Sequence, residues 1–151
     1  MMSRNPPTAP EPSTPTFVRL ATATPRQTRQ IIALYRAEGW WGDGADDPDH
    51  VARIIAGSHL FIIASVGDEV VAMGRALSDR ASDAYIQDVT VKDTYRDRGI
   101  GTQVIGRLIE GLHADGLQWI ALIAERGSSG FYERIGFKEM PNAKPMLNLT
   151  S

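Results

Sequence analysis

Between Val91 and Thr102 the chain reads Val-Lys-Asp-Thr-Tyr-Arg-Asp-Arg-Gly-Ile-Gly-Thr, with Arg96 and Arg98 ahead of Gly99 and Gly101. Two guanidinium groups and two glycines where a helix opens are the chemistry of an anion site. A helix N-terminus leaves backbone N–H groups unpaired and carries partial positive charge. Glycine lets that backbone come close to an anion, so phosphate is the natural occupant. Other phosphate loops fail on spacing. The P-loop needs G-x-x-x-x-G-K-[ST], whereas Gly101 is followed by Gly106 and then Arg107-Leu108. The dinucleotide pattern G-x-G-x-x-G breaks at Val104, and Trp119 stands where a ribose-binding acid is sought. A plain tight turn before a helix is the competing use of such a loop.

Other groups of reactive residues carry less. Asp43, Asp46, Asp47, Asp49 and His50 resemble a cation loop in composition only. Pro48 interrupts the EF-hand spacing and Ile54 stands at the twelfth position, so no metal is expected and Asp47 is expected to cap a helix. Gly127-Ser128-Ser129-Gly130 lacks the G-x-S-x-G framing of a nucleophile elbow. Neither His59 nor His113 is given a catalytic role. The chain has no cysteine, which excludes disulfides, thiolate metal sites, Fe–S clusters and cysteine nucleophiles.

The elements that must position these residues follow from pattern. Phe17–Ala23 alternates as a half-buried strand does. Thr24-Pro25 opens a helix whose apolar side is Ile31, Ile32, Leu34 and Tyr35, stopped by Gly39. Asp47-Pro48 opens a second short helix that ends near Gly57. Leu60–Val66, the turn Gly67-Asp68 and Glu69–Leu77 form a hairpin of expected type II′, and Tyr85–Val91 makes a third antiparallel strand. From Gly101 to His113, Val104, Ile105, Leu108, Ile109 and Leu112 share a helical face. Leu117–Ala124 is an apolar run, expected to be a strand covered on both faces. Strand, helix and strand with short connections make Tyr85–Ala124 a βαβ unit. A short helix near Ser128–Arg134 and two strands, Phe137–Met140 and Pro145–Leu149, are expected to complete the chain. The class is α/β or α+β with a mixed sheet flanked by helices.

At 151 residues the chain has length for one ordinary domain with a sizeable core. Residues 1–16, with five of the nine prolines, are expected to be a disordered tail ahead of a single domain at 17–151. A net charge of −2 argues against nucleic-acid or membrane-surface binding, though a local basic patch can still hold one anion. No apolar run approaches the roughly 18 residues of a membrane span. The start lacks the apolar stretch of a secretory signal, so the cytoplasm is the expected compartment.

About thirty residues beyond the glycine loop stands Phe131-Tyr132-Glu133-Arg134-Ile135-Gly136-Phe137. Together with the order of elements, this resembles the GNAT superfamily of N-acetyltransferases from Phe17 to about Leu149. Arg96-Asp97-Arg98-Gly99-Ile100-Gly101, continuing to Thr102, looks like that family's acetyl-CoA pyrophosphate loop. Phe131–Phe137 looks like its F-Y-E-x-x-G-F segment.

The resemblance implies two central parallel strands that splay apart to admit the pantetheine arm of acetyl-CoA. That arm would pair with the backbone of Val89, Thr90 and Val91. A substrate amine would attack the thioester directly. A backbone N–H near Val89 would stabilise charge on the carbonyl oxygen, and the Tyr132 hydroxyl would serve the leaving sulfur as general acid. Ser128 would contact CoA or merely cap its helix, since many relatives carry an asparagine in this region. Of Trp40 and Trp41, one is assigned to the core and one to the wall of an acceptor pocket, in open order. The acidic Asp43–Asp49 loop would help attract a cationic acceptor. Several amine-acetylating relatives have Glu-Asp where this chain has Gln87-Asp88, and Gln87 cannot accept a proton. Asp88 takes over as base and amine contact, or a water chain relays the proton, or the amine arrives neutral; alternatively Asp88 only pairs with an arginine such as Arg75. The implied activity is acetyl-CoA-dependent acetylation of a small primary amine or amino-terminal group, without a metal. A non-catalytic acyl-CoA-binding module is the rival, and a homodimer is left open.

Overall fold

The computed structural model describes residues 14–42 and 47–150. Most of the proline-rich tail, and Asp43 and Asp46 of the acidic loop, lie outside the described residues. The first strand, β1 (Thr16–Arg19), takes in Thr16 and stops well short of Ala23. Helix α1 (Pro25–Ala37) starts as its sequence demands, with a reciprocal cap. Thr24 accepts from Gln27 N–H at 3.1 Å, and the Gln27 side chain accepts from Thr24 N–H at 2.9 Å. Helix α2 (Pro48–Gly57) is capped by Asp47, which accepts from Asp49 N–H at 3.0 Å.

Strands β2 (Leu60–Val66), β3 (Glu69–Ser78) and β4 (Asp83–Val91) form the antiparallel meander. At the β2–β3 turn φ is positive at Gly67 (+58°) but not at Asp68, the pattern of a type II′ rather than a type I′ turn. Helix α3 (Ile100–Ala114) then crosses to β5 (Trp119–Leu122), which lies parallel to β4. The sheet order is β1-β2-β3-β4-β5, and α4 (Ser129–Arg134) follows. This is the mixed, mostly antiparallel sheet with flanking helices that the sequence implies.

Period-2 geometry sorts the core into two layers. In β2, Leu60, Ile62 and Ala64 pack towards Val104, Leu108 and Leu112 of α3, while Phe61 and Ile63 pack towards Ile31 and Tyr35 of α1 and Val51 of α2. The strand is therefore apolar throughout, with both faces covered. Helix α3 sits close enough that a Cβ at Gly74 would lie 2.8 Å from Val104 Cγ1 and 3.1 Å from Leu108 Cδ1. Gly74→Ala should thus cost about 1–3 kcal/mol through overpacking. Urea unfolding would measure it, and an unchanged midpoint would show that α3 can shift at no cost.

Buried His59 ties the far end of this layer together. Its Nε2–H donates to Asp115 Oδ2 at 2.7 Å, and Nδ1 lies 2.5 Å from Ser78 Oγ. The hydrogen bond from His59 holds the Asp115 carboxyl below its ordinary range. The stabilisation is fully present above the ordinary carboxylate pKa and is lost as pH falls through the lowered one. Asp115→Asn should therefore flatten the loss of stability on acidification; equal acid sensitivity in both proteins would sever the link.

Two sequence expectations fail near the C-terminus. Strand β5 is shorter than Leu117–Ala124 and is not covered on both faces: Trp119 is exposed and Ile120–Leu122 are only partly buried. Trp119 and Ile123 stay exposed there. No strand forms at Phe137–Met140 or Pro145–Leu149: residues 138–150 are exposed and make no backbone hydrogen bond to other described residues. An apolar alternating segment becomes a strand only beside a ladder, and this one lies against none.

Candidate active site

The splay of the parallel pair builds the site. Pairing between β4 and β5 runs from Asp83↔Trp119 to Ile86↔Leu122 and stops, while β4 continues to Val91. Just beyond that point the β3–β4 register shifts between Met73 and Arg75, and Asp88 takes a left-handed φ of +57°. Such a bulge bends the strand and releases backbone groups from the ladder. The edge of β4 from Gln87 to Val91 thus faces a cleft of about 590 Å³, opposite Leu122, Ile123, Glu125 and Arg126.

One end of the cleft is the glycine loop. After a 3₁₀ turn at Asp93–Tyr95, Gly99 caps α3 with φ +76°, and no side chain caps the helix in its place. Arg96, Asp97, Gly99, Ile100, Gly101 and Thr102 line the cleft together with Val89, Thr90 and Val91. Arg98 does not; it lies over the Tyr95 ring, 5.2 Å from its centroid. The second guanidinium beside the cleft is instead Arg126, which the sequence reading missed. Arg126 comes from the β5–α4 connection, and no motif marks it.

Arg96 and Arg126 converge on Glu38, also unanticipated, at the C-terminus of α1. Arg96 Nη2 lies 3.2 Å and Arg126 Nη1 3.0 Å from its carboxylate, and Thr90 Oγ1 donates to it at 2.5 Å. Arg96 also holds Val91 O at 3.1 Å and Asp93 at 2.9 Å. These contacts tie the loop to α1 and to the end of β4.

Deeper in, Asp88 Oδ2 accepts from Tyr35 Oη at 2.7 Å and Arg75 Nε at 2.6 Å. Burial, then the Asp88 charge, pushes the Tyr35 hydroxyl far above its ordinary value. The pairing with Arg75 weighed from sequence is thus present, and a buried tyrosine adds a second partner. Trp40 lines the cleft; Trp41 stacks on Tyr35 with centroids 4.2 Å apart and planes 6° apart. Both tryptophans pack against Tyr35, Trp40 edge-on with centroids 6.0 Å apart, and of the two only Trp40 also lines the cleft.

At the other side of the cleft, Tyr132 on α4 packs edge-on against Phe131 and Phe137 at 5.0 and 5.8 Å. Among the described residues its hydroxyl has no hydrogen-bond partner, and burial and then the Glu125 charge raise its pKa. Ser128 also lines the cleft at the N-terminus of α4 but makes no side-chain cap bond.

The donor set fits a CoA phosphate chain. Uncapped helix N–H groups, a left-handed glycine and two arginines meet at one end of an unpaired strand edge. The described residues contain no cluster of metal-ligating side chains.

The profile of the acetyltransferase (GNAT) family matches residues 18–137. The chain belongs to that family. It is 40% identical over 72 residues to a chloroplastic GCN5-related N-acetyltransferase of Arabidopsis thaliana, and 38% identical over 73 residues to a chloroplastic serotonin N-acetyltransferase of Oryza sativa subsp. japonica. Each match covers 48% of this chain and 36% of the relative's own length. A GNAT-family acetyltransferase structure from Streptococcus pneumoniae superposes with a TM-score of 0.74 at 21% identity, over 91% of this chain and 98% of that one. The likeness confirms the fold.

Proposed function

We propose that this protein is an acetyl-CoA-dependent N-acetyltransferase whose acceptor is a small-molecule primary amine or an amino-terminal group. The observation that supports it most is the cleft's composition along its length. The N-terminus of α3 stands at one side, the freed edge of β4 runs between, and Tyr132 of α4 lines the cleft as well. The co-substrate supplies an activated acyl thioester; the chain supplies binding and orientation. Backbone N–H groups of Gly99–Thr102 and the Arg96 guanidinium bind the phosphates. The edge at Val89–Val91 aligns the pantetheine arm, and an N–H freed by the bulge at Asp88 meets charge developing on the carbonyl oxygen. Tyr132 donates towards the sulfur.

The acceptor side rests on Asp88 and Trp40. Gln87 takes no proton, and Asp88 is already engaged by Arg75 and Tyr35, so Asp88 acts as a held anion that orients a cationic amine, which passes its proton to solvent water in the cleft before its lone pair attacks the thioester. One matched relative is named for serotonin, itself a primary amine, which agrees with this acceptor class. Removing one charge-assisted contact is worth about 1.5–3 kcal/mol, so Asp88→Asn should lower kcat/KM for the amine roughly 10–100-fold. CoA affinity should stay nearly constant. If folded Asp88→Asn keeps the amine kinetics of wild type, Asp88 only braces Arg75 and Tyr35.

The test of the activity is release of free thiol from acetyl-CoA across a panel of primary amines and short peptides with free amino termini. The engagement of Asp88 favours, as a second reading, an acyl-CoA-binding domain without catalysis. That reading gains if CoA binds tightly and no amine in the panel releases thiol.

A further inference from the structure

Past Ile86↔Leu122 the parallel ladder ends, and side chains rejoin the two walls of the cleft. Among the described residues, the side-chain hydrogen bonds that cross from the β5–α4 connection all start at Arg126 and end on Glu38. Arg126 Nη1 donates to Glu38 Oε2 at 3.0 Å, and Nη2 donates to Glu38 O at 2.8 Å. The backbone aims this side chain. Arg126 takes a φ of +54° and Gly127 one of +74°. A non-glycine residue in that left-handed region is uncommon, and it persists where the surrounding structure holds it.

The same carboxylate serves two further walls. Its Oε1 accepts from Thr90 Oγ1 on β4 at 2.5 Å and from Arg96 Nη2 on the glycine loop at 3.2 Å. Three residues earlier on α1, Tyr35 donates to Asp88, two residues before Thr90 on β4. Spacings of three on a helix and two on a strand put both contacts on facing sides. The end of α1 thus pins the unpaired stretch of β4 while it holds the loop and the opposite wall. Only 16% of the Glu38 side chain is exposed, against 52% of Arg96 and 60% of Arg126, so the carboxylate is the fixed point onto which both arginines lean.

We propose that Glu38 is a positioning residue for acyl-CoA: through Arg126 it sets the width of the gap between β4 and the β5–α4 connection that receives the pantetheine arm. The inference rests on the proposed use of acyl-CoA and goes beyond it by assigning what holds the cleft at working width. Attraction between packed atoms fades steeply with any gap, so an arm lying between two walls is held only while their spacing is kept. In a splay past its last ladder pair, the Glu38–Arg126 bonds keep that spacing. The phosphate end depends instead on the helix N–H groups of the glycine loop. Losing the clasp should therefore be felt by the arm.

Titration calorimetry that compares CoA with its arm-less half, 3′-phospho-ADP, tests this. Wild type should bind CoA more tightly than the half. Glu38→Gln keeps the size of the side chain and removes its charge, and it should shrink that preference roughly tenfold, as should Arg126→Gln; the double variant should lose no more than one change alone. Arg126→Lys keeps the charge without the two-pronged grip and should fall between. Circular dichroism shows which variants are folded, and the exposed Arg126 covers the case in which Glu38→Gln does not fold. A preference for CoA that is unchanged in a folded single variant overturns the proposal, and so do losses that multiply in the double variant. Wild type that binds neither compound overturns it together with the acyl-CoA reading. Wild type that binds both compounds with no preference for CoA overturns the clasp alone.

Discussion

Replacing Tyr132 with phenylalanine should lower kcat by roughly 10²–10³-fold while acetyl-CoA affinity stays nearly unchanged. The ring is held by Phe131 and Phe137, and phenylalanine keeps every one of those contacts. Only the hydroxyl leaves. That hydroxyl has no protein partner among the described residues, so its loss strands no other polar group and should not unfold α4. Its pKa, raised by burial and by Glu125, keeps it protonated through neutral pH. A leaving thiolate has a pKa near ~8.5, below that of tyrosine, so full proton transfer from Tyr132 is uphill. The useful role is a hydrogen bond to sulfur as negative charge gathers there. It strengthens between ground and transition state, which is the requirement for raising kcat. A kcat within about threefold of wild type, where chemistry limits turnover, would reduce Tyr132 to packing.

The elements around that tyrosine were legible because their signals are local. Thr24-Pro25 and Asp47-Pro48 fix two helix starts by side-chain chemistry alone, and the run from Val104 to Leu112 fixes the face of α3. The glycine loop marked one side of the cleft for the same reason, whereas Phe131–Phe137 marked the other only through its resemblance to the family. What stayed hidden depends on distant partners. Glu38 gathers Arg96, Arg126 and Thr90 from places 52 to 88 residues away, and nothing about a glutamate before a glycine announces it. The bulge at Asp88 is equally silent, since an aspartate in the left-handed region leaves no mark that a glycine would. Apolar composition misled at the C-terminus. It reads as burial only where the segment lies against a surface, and residues 138–150 are exposed throughout.

Valine at Gly99 or at Gly101 should weaken acetyl-CoA binding by at least tenfold, and the two should do so for different reasons. At Gly99 there is open space: no heavy atom lies within 4 Å of where a Cβ would stand. The obstacle is backbone, because φ is +76° and a β-branched residue strongly disfavours that region. Relaxing it moves the first N–H groups of α3 away from the phosphates. At Gly101 the obstacle is space in the cleft. A Cβ there meets Val91 Cγ2 at 3.4 Å and Phe131 Cζ at 3.5 Å, ordinary contacts, so alanine should be tolerated. The further methyl groups of valine would stand where a phosphate must come within hydrogen-bond reach of the helix. Tenfold corresponds to about 1.4 kcal/mol, a modest fraction of what a multiply hydrogen-bonded anion gains. Titration calorimetry with CoA, on variants shown to be folded, separates the cases. Alanine at Gly101 near wild type with valine far weaker marks steric exclusion at the anion. Unchanged affinity in both valine variants would mean that the phosphates bind elsewhere, and the loop would then be only the turn that starts a helix.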